Sequence, residues 1–492
     1  MTHHILSIDQ GTTSSRAFLI DHDLNVKGEG QYEFPQIYPK PGWVEHNAED
    51  IWGATLKAIH DCLAKSKIDP KNISAVGITN QRETTVLWNK KTGQPLGNAI
   101  VWQDRRTTEH CAELKKQGYE KKVHEKTGLV LDPYFSATKI EWMLKNNPEA
   151  KRLAEKGELA FGTIDSFLVW RLSGGKAHVT DATNASRTLL MNLKTLQWDS
   201  ELLEIFNIPE SILPKIVSCS EIYRITQDVP GLPDGIPIAG MAGDQQAALI
   251  GQACFAAGEA KCTYGTGSFI LMNIGKEPKL SKHRLLTTLA YNINREITYA
   301  WEGSSFIAGA AVQWLRDGLK IIKKSSDVET LALQVPDSGE IVFVPALVGL
   351  GAPHWRPEAR GVISGITRGT TAAHIARATL EGIAFSQYDI LESMTKDLGR
   401  PLAILKVDGG ASANNLLMQF QSDILQVSIQ RPVMKETTVL GAAFLAGMAV
   451  GLWKNPEEIR KSWREEKQFT PKMSSAEVDA HVQRWQRAIL KA

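Results

Sequence analysis

The 492-residue chain has only five cysteines, and no two of them stand at CxxC spacing. An odd, scattered set excludes a disulfide framework and a zinc ribbon, and suits a reducing compartment, here the cytoplasm. The chain has no long run of Lys or Arg, and its formal net charge is +2. Such a balance excludes a field strong enough to hold nucleic acid or an anionic membrane. Its most apolar stretch, Leu440–Trp453, is too short to span a bilayer and reads as a buried helix. The chain reaches Ile5–Asp9 with no charged-then-apolar leader, so these residues read as a first strand and not as a secretory signal. No GxxxxGK[ST] loop and no Rossmann fingerprint is present.

What remains is an alternation of strand and helix signals. Ile5–Ile8, Arg16–Ile20 and Val26–Phe34 read as strands, with a turn at Gly11–Ser14. A helix is expected over Ala48–Ala64, capped by Asn47 with Asp50 at the capping-box position, and with Ile51, Thr55, Ala58, Ile59 and Leu63 facing inward. Ser74–Thr79 and Thr84–Trp88 read as buried strands. The second half restarts this grammar. Cys262–Asn273 reads strand, Gly265-Thr266-Gly267 turn, strand, and Glu296–Trp301 is a further strand. Helices are expected over Ile307–Ile321, Ala372–Leu398 and Asn414–Leu425, with strands at Gly361–Thr367 and Leu405–Asp408. A strand–GT turn–strand unit thus opens each half, about 255 residues apart. That spacing predicts two duplicated α/β domains, 1–248 and 249–492, joined near Gly243–Cys262.

Three polar turns carry chemistry. In Asp9-Gln10-Gly11-Thr12-Thr13-Ser14-Ser15-Arg16, Gly11 allows a tight turn whose N–H groups point at one anion. Thr12, Thr13 and Ser14 add hydroxyl donors, Arg16 adds a cation suited to phosphate, and Asp9 is placed to hold a hydrated Mg²⁺. Thr263–Ser268 offers the same donors from the opposite half. Asp408-Gly409-Gly410-Ala411-Ser412-Ala413-Asn414 makes a strand-end shelf that admits a flat base and ribose. Each turn alone is equally compatible with an ordinary hairpin or strand-to-helix turn. Together they resemble the sugar kinase/actin/Hsp70 superfamily, in which two ribonuclease-H-like domains close over ATP around an interdomain active-site cleft.

Tyr134-Phe135-Ser136-Ala137-Thr138-Lys139-Ile140-Glu141-Trp142 and Gly361–Glu381 resemble the two signatures of the FGGY carbohydrate kinases. Tyr38–His46 resembles a segment of the glycerol-phosphorylating members. The resemblance runs from Ile5 to Trp453, and implies ATP-dependent phosphorylation of glycerol. It makes Asp244 the general base and places Arg82, Glu83, Trp102, Tyr134, Asp244, Gln245 and Phe269 around the polyol. It places Thr12, Thr13, Ser14, Arg16, Thr266, Gly309, Gln313, Gly410 and Asn414 around ATP, and Asp9 and Asp244 around Mg²⁺. It also implies a homodimer or homotetramer, with no nucleic-acid partner and no stable membrane insertion. Domain closure at the Gly243–Cys262 hinge is expected, because open water would hydrolyse ATP.

The rivals are an FGGY kinase of a pentulose such as xylulose or of another polyol, or a non-kinase ATPase of the chaperone or filament kind. Only 39 residues follow Trp453, read as helical and charged, which is too little for a peptide-binding domain. Some relatives are inhibited by a sugar bisphosphate at a Gly/Arg loop, or are phosphorylated on a His there. Val229–Pro237 has no Arg and carries Asp234, and no His lies between His178 and His283. A phosphate site without a cation is disfavoured. Fructose bisphosphate at low millimolar concentration is therefore expected to leave turnover unchanged in a coupled assay, and inhibition contradicts this reading.

Overall fold

Ile5, Leu6 and Ile8 put apolar side chains on both faces of one strand, and His4–Gln10 is buried throughout as the first strand, β1. A computed structural model describes residues 3–492. Counting only strands of the main sheet, β2 is Ser14–Asp21 and β3 is Val26–Glu33. Helix α1, Ala48–Ser66, follows, and then β4, Ile73–Asn80. Asn47 caps α1 by accepting from the Glu49 N–H, so the expected capping box with Asp50 does not form. The expected inward stripe of α1 is buried. The strand expected at Thr84–Trp88 starts only at Val86, because Glu83 turns the backbone to a φ of 61°. Helix α2 is Ser136–Asn146. Strands β5, Ser220–Ile225, and β6, Pro237–Gly243, lead to helix α3, Asp244–Gly251.

The second half repeats the plan with β7, Ala260–Tyr264, β8, Ser268–Gly275, β9, Leu286–Ile293, and β10, Glu296–Ser305. Helix α4 is Gly309–Asp317, shorter than expected because Ala308 is non-helical and Gly318 follows its end. Helix α5 is Ala372–Leu398. The strand ahead of it is only Val362–Ser364, stopped by Gly365 at a φ of 86°. Then come β11, Ile404–Asp408, α6, Asn415–Leu425, β12, Ser428–Pro432, and α7, Thr437–Ala449. The C-terminal stretch is not all helix. Glu465–Phe469 forms β13 at the sheet edge, with α8, Ser475–Ile489, beyond it.

The strands form one thirteen-stranded sheet, β13-β12-β11-β7-β8-β10-β9-β5-β6-β4-β1-β2-β3. Each half contains the same five-strand order. It is β3-β2-β1-β4-β6 in the first and β10-β8-β7-β11-β12 in the second, with the second strand of each antiparallel to the first. This is the ribonuclease-H-like arrangement, present twice. The halves meet where β5 pairs with β9 through Ser220 and Ile293.

Helix α7 belongs to the second half but lies on the sheet of the first. Glycines permit that approach. A Cβ on Gly77 would come within 2.2 Å of the Ala442 carbonyl oxygen, and one on Gly441 within 1.9 Å of the Ala247 carbonyl oxygen on α3. Ser7 donates to the Val439 carbonyl at 2.8 Å. The α3–α7 contact holds the helix that begins with Asp244. Among the described residues no helix is long and apolar enough to cross a membrane.

Gly441→Val forces α7 off α3, and overpacking of this kind costs about 3 kcal/mol. A clear fall in melting temperature is expected by calorimetry. An unchanged melting temperature contradicts the packing described.

Candidate active site

In open α/β sheets ligands gather beyond the carboxyl ends of the parallel strands, and here two such edges face one another. β1 ends at Gln10, and the chain turns through Gly11, whose N–H donates to the Ser14 carbonyl at 2.9 Å. β4 leads into Gln81–Glu83, and β6 into Asp244. In the second half β7 leads into Gly265–Gly267, where the Gly265 N–H donates to the Gly267 carbonyl at 2.8 Å. β11 leads to Gly409 at a φ of 83°, and α6 starts from Asn414, whose side chain accepts from the Leu417 N–H at 2.9 Å.

Two cavities lie along these edges. The first, about 360 Å³, is lined by Thr12, Thr13, Arg82, Glu83, Trp102, Tyr134, Asp244, Gln245, Thr266 and Phe269. Gln36, Tyr38, Gln103, Thr263, Gly265, Gly267 and Phe306 complete it. The second, about 440 Å³, is lined by Thr266, Gly309, Gln313, Gly410 and Asn414, with Val312, Leu380 and Leu417 as apolar walls and Ser325, Ser326 and Glu329 at its polar side. Both lie in the size range of small-ligand pockets. They share Gly265 and Thr266, so that turn is the junction between them. The Gly265 carbonyl accepts from the Gly309 N–H at 2.9 Å, and the Thr266 carbonyl accepts from Ala308 and Ala310 at 2.8 and 3.0 Å. The junction is therefore bonded to the start of α4.

The first cavity has an aromatic side and a charged side. Trp102 meets Tyr134 edge-on at 5.7 Å and Phe269 at 6.4 Å. Its indole Nε1 donates to the Thr12 hydroxyl at 3.0 Å, tying this wall to the first turn. Asp244 is the first residue of α3. One carboxylate oxygen faces Arg82 Nε at 3.2 Å, and the other accepts from the Gln245 amide at 3.2 Å. The Gln245 carbonyl oxygen in turn accepts from Lys261, whose ammonium also donates to Thr263 at 2.8 Å. Burial raises the Asp244 carboxyl above its ordinary value, Arg82 and Lys261 oppose that rise, and nearby Asp9 adds to it. The side chain remains one-third exposed at the cavity wall.

Arg82 and Glu83 are adjacent in sequence, but each finds its close partner elsewhere. Arg82 is bidentate to Glu302 at 2.6 and 3.1 Å, and Glu83 accepts from Arg187 at 2.6 Å. Arg82 Nε stands 3.9 Å from Glu83. Neither Glu302 nor Arg187 was singled out by sequence reasoning, and neither was Lys261. The available signal was a lone acid or base inside an otherwise apolar strand, as in Ala300-Trp301-Glu302.

Three expected residues line neither cavity. Arg16 is bound by Asp9 and, at 2.5 Å, by Glu436. The Ser14 hydroxyl accepts from Gln31 at 3.2 Å on the outer side of the sheet edge. Asp9 is buried beneath the first turn with Arg16. Among the described residues no three His, Cys, Asp or Glu side chains converge as a metal cage. Of the two acids expected around a cation, Asp244 lines the first cavity and Asp9 is taken up by Arg16.

Residues 4–251 match the N-terminal domain of the FGGY family of carbohydrate kinases, and residues 260–450 match its C-terminal domain. A glycerol kinase of Myxococcus xanthus is 56% identical over 491 residues, covering 99% of both chains. The crystal structure of Plasmodium falciparum glycerol kinase with ADP superposes with a TM-score of 0.92 at 40% identity, covering 100% of this chain and 98% of that one. Gluconate kinase from Lactobacillus acidophilus superposes with a TM-score of 0.88 at 26% identity, covering 99% and 97%. With two family domains matched in order, and the repeated five-strand plan meeting at a shared cleft, the chain belongs to the FGGY family of carbohydrate kinases.

Proposed function

We propose that this protein transfers the γ-phosphate of ATP to glycerol, giving ADP and sn-glycerol 3-phosphate. The observation that carries the reading is the junction at Gly265–Thr266, where a cavity walled by aromatics, Arg82, Glu83 and Asp244 opens onto a nucleotide-sized one. A relative 56% identical along the whole chain bears the name glycerol kinase, which supports glycerol over a pentulose.

A triol offers a donor and an acceptor at each hydroxyl. Arg82 donates, Glu83 accepts, and Tyr134 and Gln245 do either. Trp102 and Phe269 pack on the carbon chain. Asp244 accepts the proton of the attacking hydroxyl as the new P–O bond forms and the bond to the ADP oxygen breaks. Thr12, Thr13 and Thr266 donate to the phosphates, while Gly309, Gln313, Gly410 and Asn414 hold the nucleoside. Ser14 stands in the same turn, and Arg16, paired here with Asp9 and Glu436, reaches the phosphates by releasing one of those carboxylates. A bound Mg²⁺ would neutralise charge at the phosphates, and Asp244, with Asp9 once freed from Arg16, would hold it. A first domain, 1–248, and a second, 249–492, close to exclude water. All five thiols are free and buried, which fits a reducing cytoplasm.

Two experiments test this reading. ADP release with Mg-ATP is expected with glycerol and not with xylulose, ribulose, erythritol or buffer, and Asp244→Asn is expected to lower kcat by ~10²–10⁴-fold. Glycerol no better than buffer removes the acceptor assignment, and an active Asp244→Asn removes the base. Because Asp244 works deprotonated and its pKa is raised, the acid limb of kcat/KM is expected above the ordinary aspartate value of 3.8. A limb at or below that value contradicts the environment described.

A further inference from the structure

Arg82 carries five N–H donors, and the structure engages every nitrogen. The two short, parallel bonds go to Glu302 at 2.6 and 3.1 Å. The longer contacts are a bond to the Gln246 side-chain oxygen at 3.2 Å, which lies off the cavity, and, on the cavity side, an ion contact to Asp244 at 3.2 Å and a bond to the Tyr134 hydroxyl at 3.4 Å. Fork-to-fork pairing with Glu302 thus fixes the guanidinium plane, and the weak bonds on the cavity side are the ones a substrate hydroxyl can replace. Glu83 shows the same division. It sits at a φ of 61°, where a non-glycine residue is strained, and Arg187 holds its carboxylate at 2.6 Å. Arg187 closes the chain by donating to Glu302 at 2.9 Å.

The result is a line of alternating charge, Glu83–Arg187–Glu302–Arg82–Asp244. Neither Arg187 nor Glu302 lines the cavity, and both are wholly buried. Burial pushes the Glu302 carboxyl up, but Arg187 and Arg82 outweigh it and hold it at about 2, so it stays ionised at working pH. As a stabilising device the line is poor. Buried ion pairs are often replaceable by apolar residues without loss of stability. Here Arg187 Nη1 also has no hydrogen-bond partner, which is a further cost. Glu302 stands on β10, in the second half of the chain, whereas Arg82 and Arg187 belong to the first.

We propose that Glu302 and Arg187 are positioning residues of the acceptor site, which orient Arg82 and Glu83 for hydroxyl recognition only while Glu302 of the second half stays bonded to Arg82 and Arg187 of the first. The inference rests on the reading that Arg82 and Glu83 hold the acceptor. It assigns specificity to a carboxylate supplied across the cleft: the second half, which carries the nucleotide cavity, also completes the polyol site.

The test uses the full chain and compares wild type with Glu302→Gln and Arg187→Lys. Each variant keeps the approximate shape and breaks an interior link of the line. The KM for glycerol is expected to rise at least ~30-fold, since misplacement of a binding group carries losses of about 10²-fold. The KM for ATP is expected to change by less than ~3-fold, because the second cavity is untouched. Parallel rises in both KM values, or a fallen melting temperature with an unchanged glycerol KM, show a merely structural role and overturn the proposal. If Glu302→Gln does not fold, Arg187→Lys carries the same comparison. A wild type without glycerol-dependent ADP release removes the acceptor reading and this inference together. A wild type that uses glycerol, with both variants keeping its KM, removes the inference alone.

Discussion

The turn at Gly265–Gly267 is the constraint on which the site depends, because one short piece of backbone walls both cavities. Phosphoryl transfer demands that donor and acceptor oxygens lie in line at contact distance. A junction free to move would lose that geometry. Three backbone hydrogen bonds to residues 308–310 hold it, and the glycines make them possible: a Cβ on Gly309 would meet the Gly265 carbonyl oxygen at 2.7 Å, and one on Gly267 the Ser305 carbonyl oxygen at 2.7 Å. The fold then supplies the opposing face by repeating itself. The first turn stands at the matching strand end of the other half, and α3 delivers Asp244 between them because α7 locks against it.

The second constraint is the cost of charge in a closed site. A cleft that excludes water raises carboxylate pKa values by desolvation. Asp244 shows the rise, which Arg82 and Lys261 oppose. Glu302 shows the opposite outcome, because two guanidiniums outweigh its burial. Two acids about the same cleft thus differ in role through their neighbours.

The polar turns were legible in the sequence because glycine beside Thr, Ser or Asp at the end of an apolar run marks a tight bend rich in hydrogen-bond donors. The inward stripe of α1 and the full extent of α5 were legible from periodicity and capping. The ion partners were not. Arg82 and Glu302 lie 220 residues apart, and Arg187 and Glu83 lie 104 apart, so no local pattern joins them. Arg82 and Glu83, adjacent in sequence, stand 3.9 Å apart, and each is bound more closely by a distant partner. Arg16 read as a phosphate ligand because Glu436, its second partner, is 420 residues away. The edge strand at Glu465–Phe469 was missed because its alternation is almost wholly charged, as suits an exposed sheet edge.

If the contents of the two cavities exchange a phosphoryl group at their junction, the product must carry the record of that transfer. Phosphorus NMR of a reaction with Mg-ATP and carbon-13-labelled glycerol reads it. Expected are ADP and a single phosphomonoester coupled to a terminal glycerol carbon, and no parallel accumulation of inorganic phosphate. Release of inorganic phosphate alone, or an ester at the central carbon, contradicts transfer at the junction.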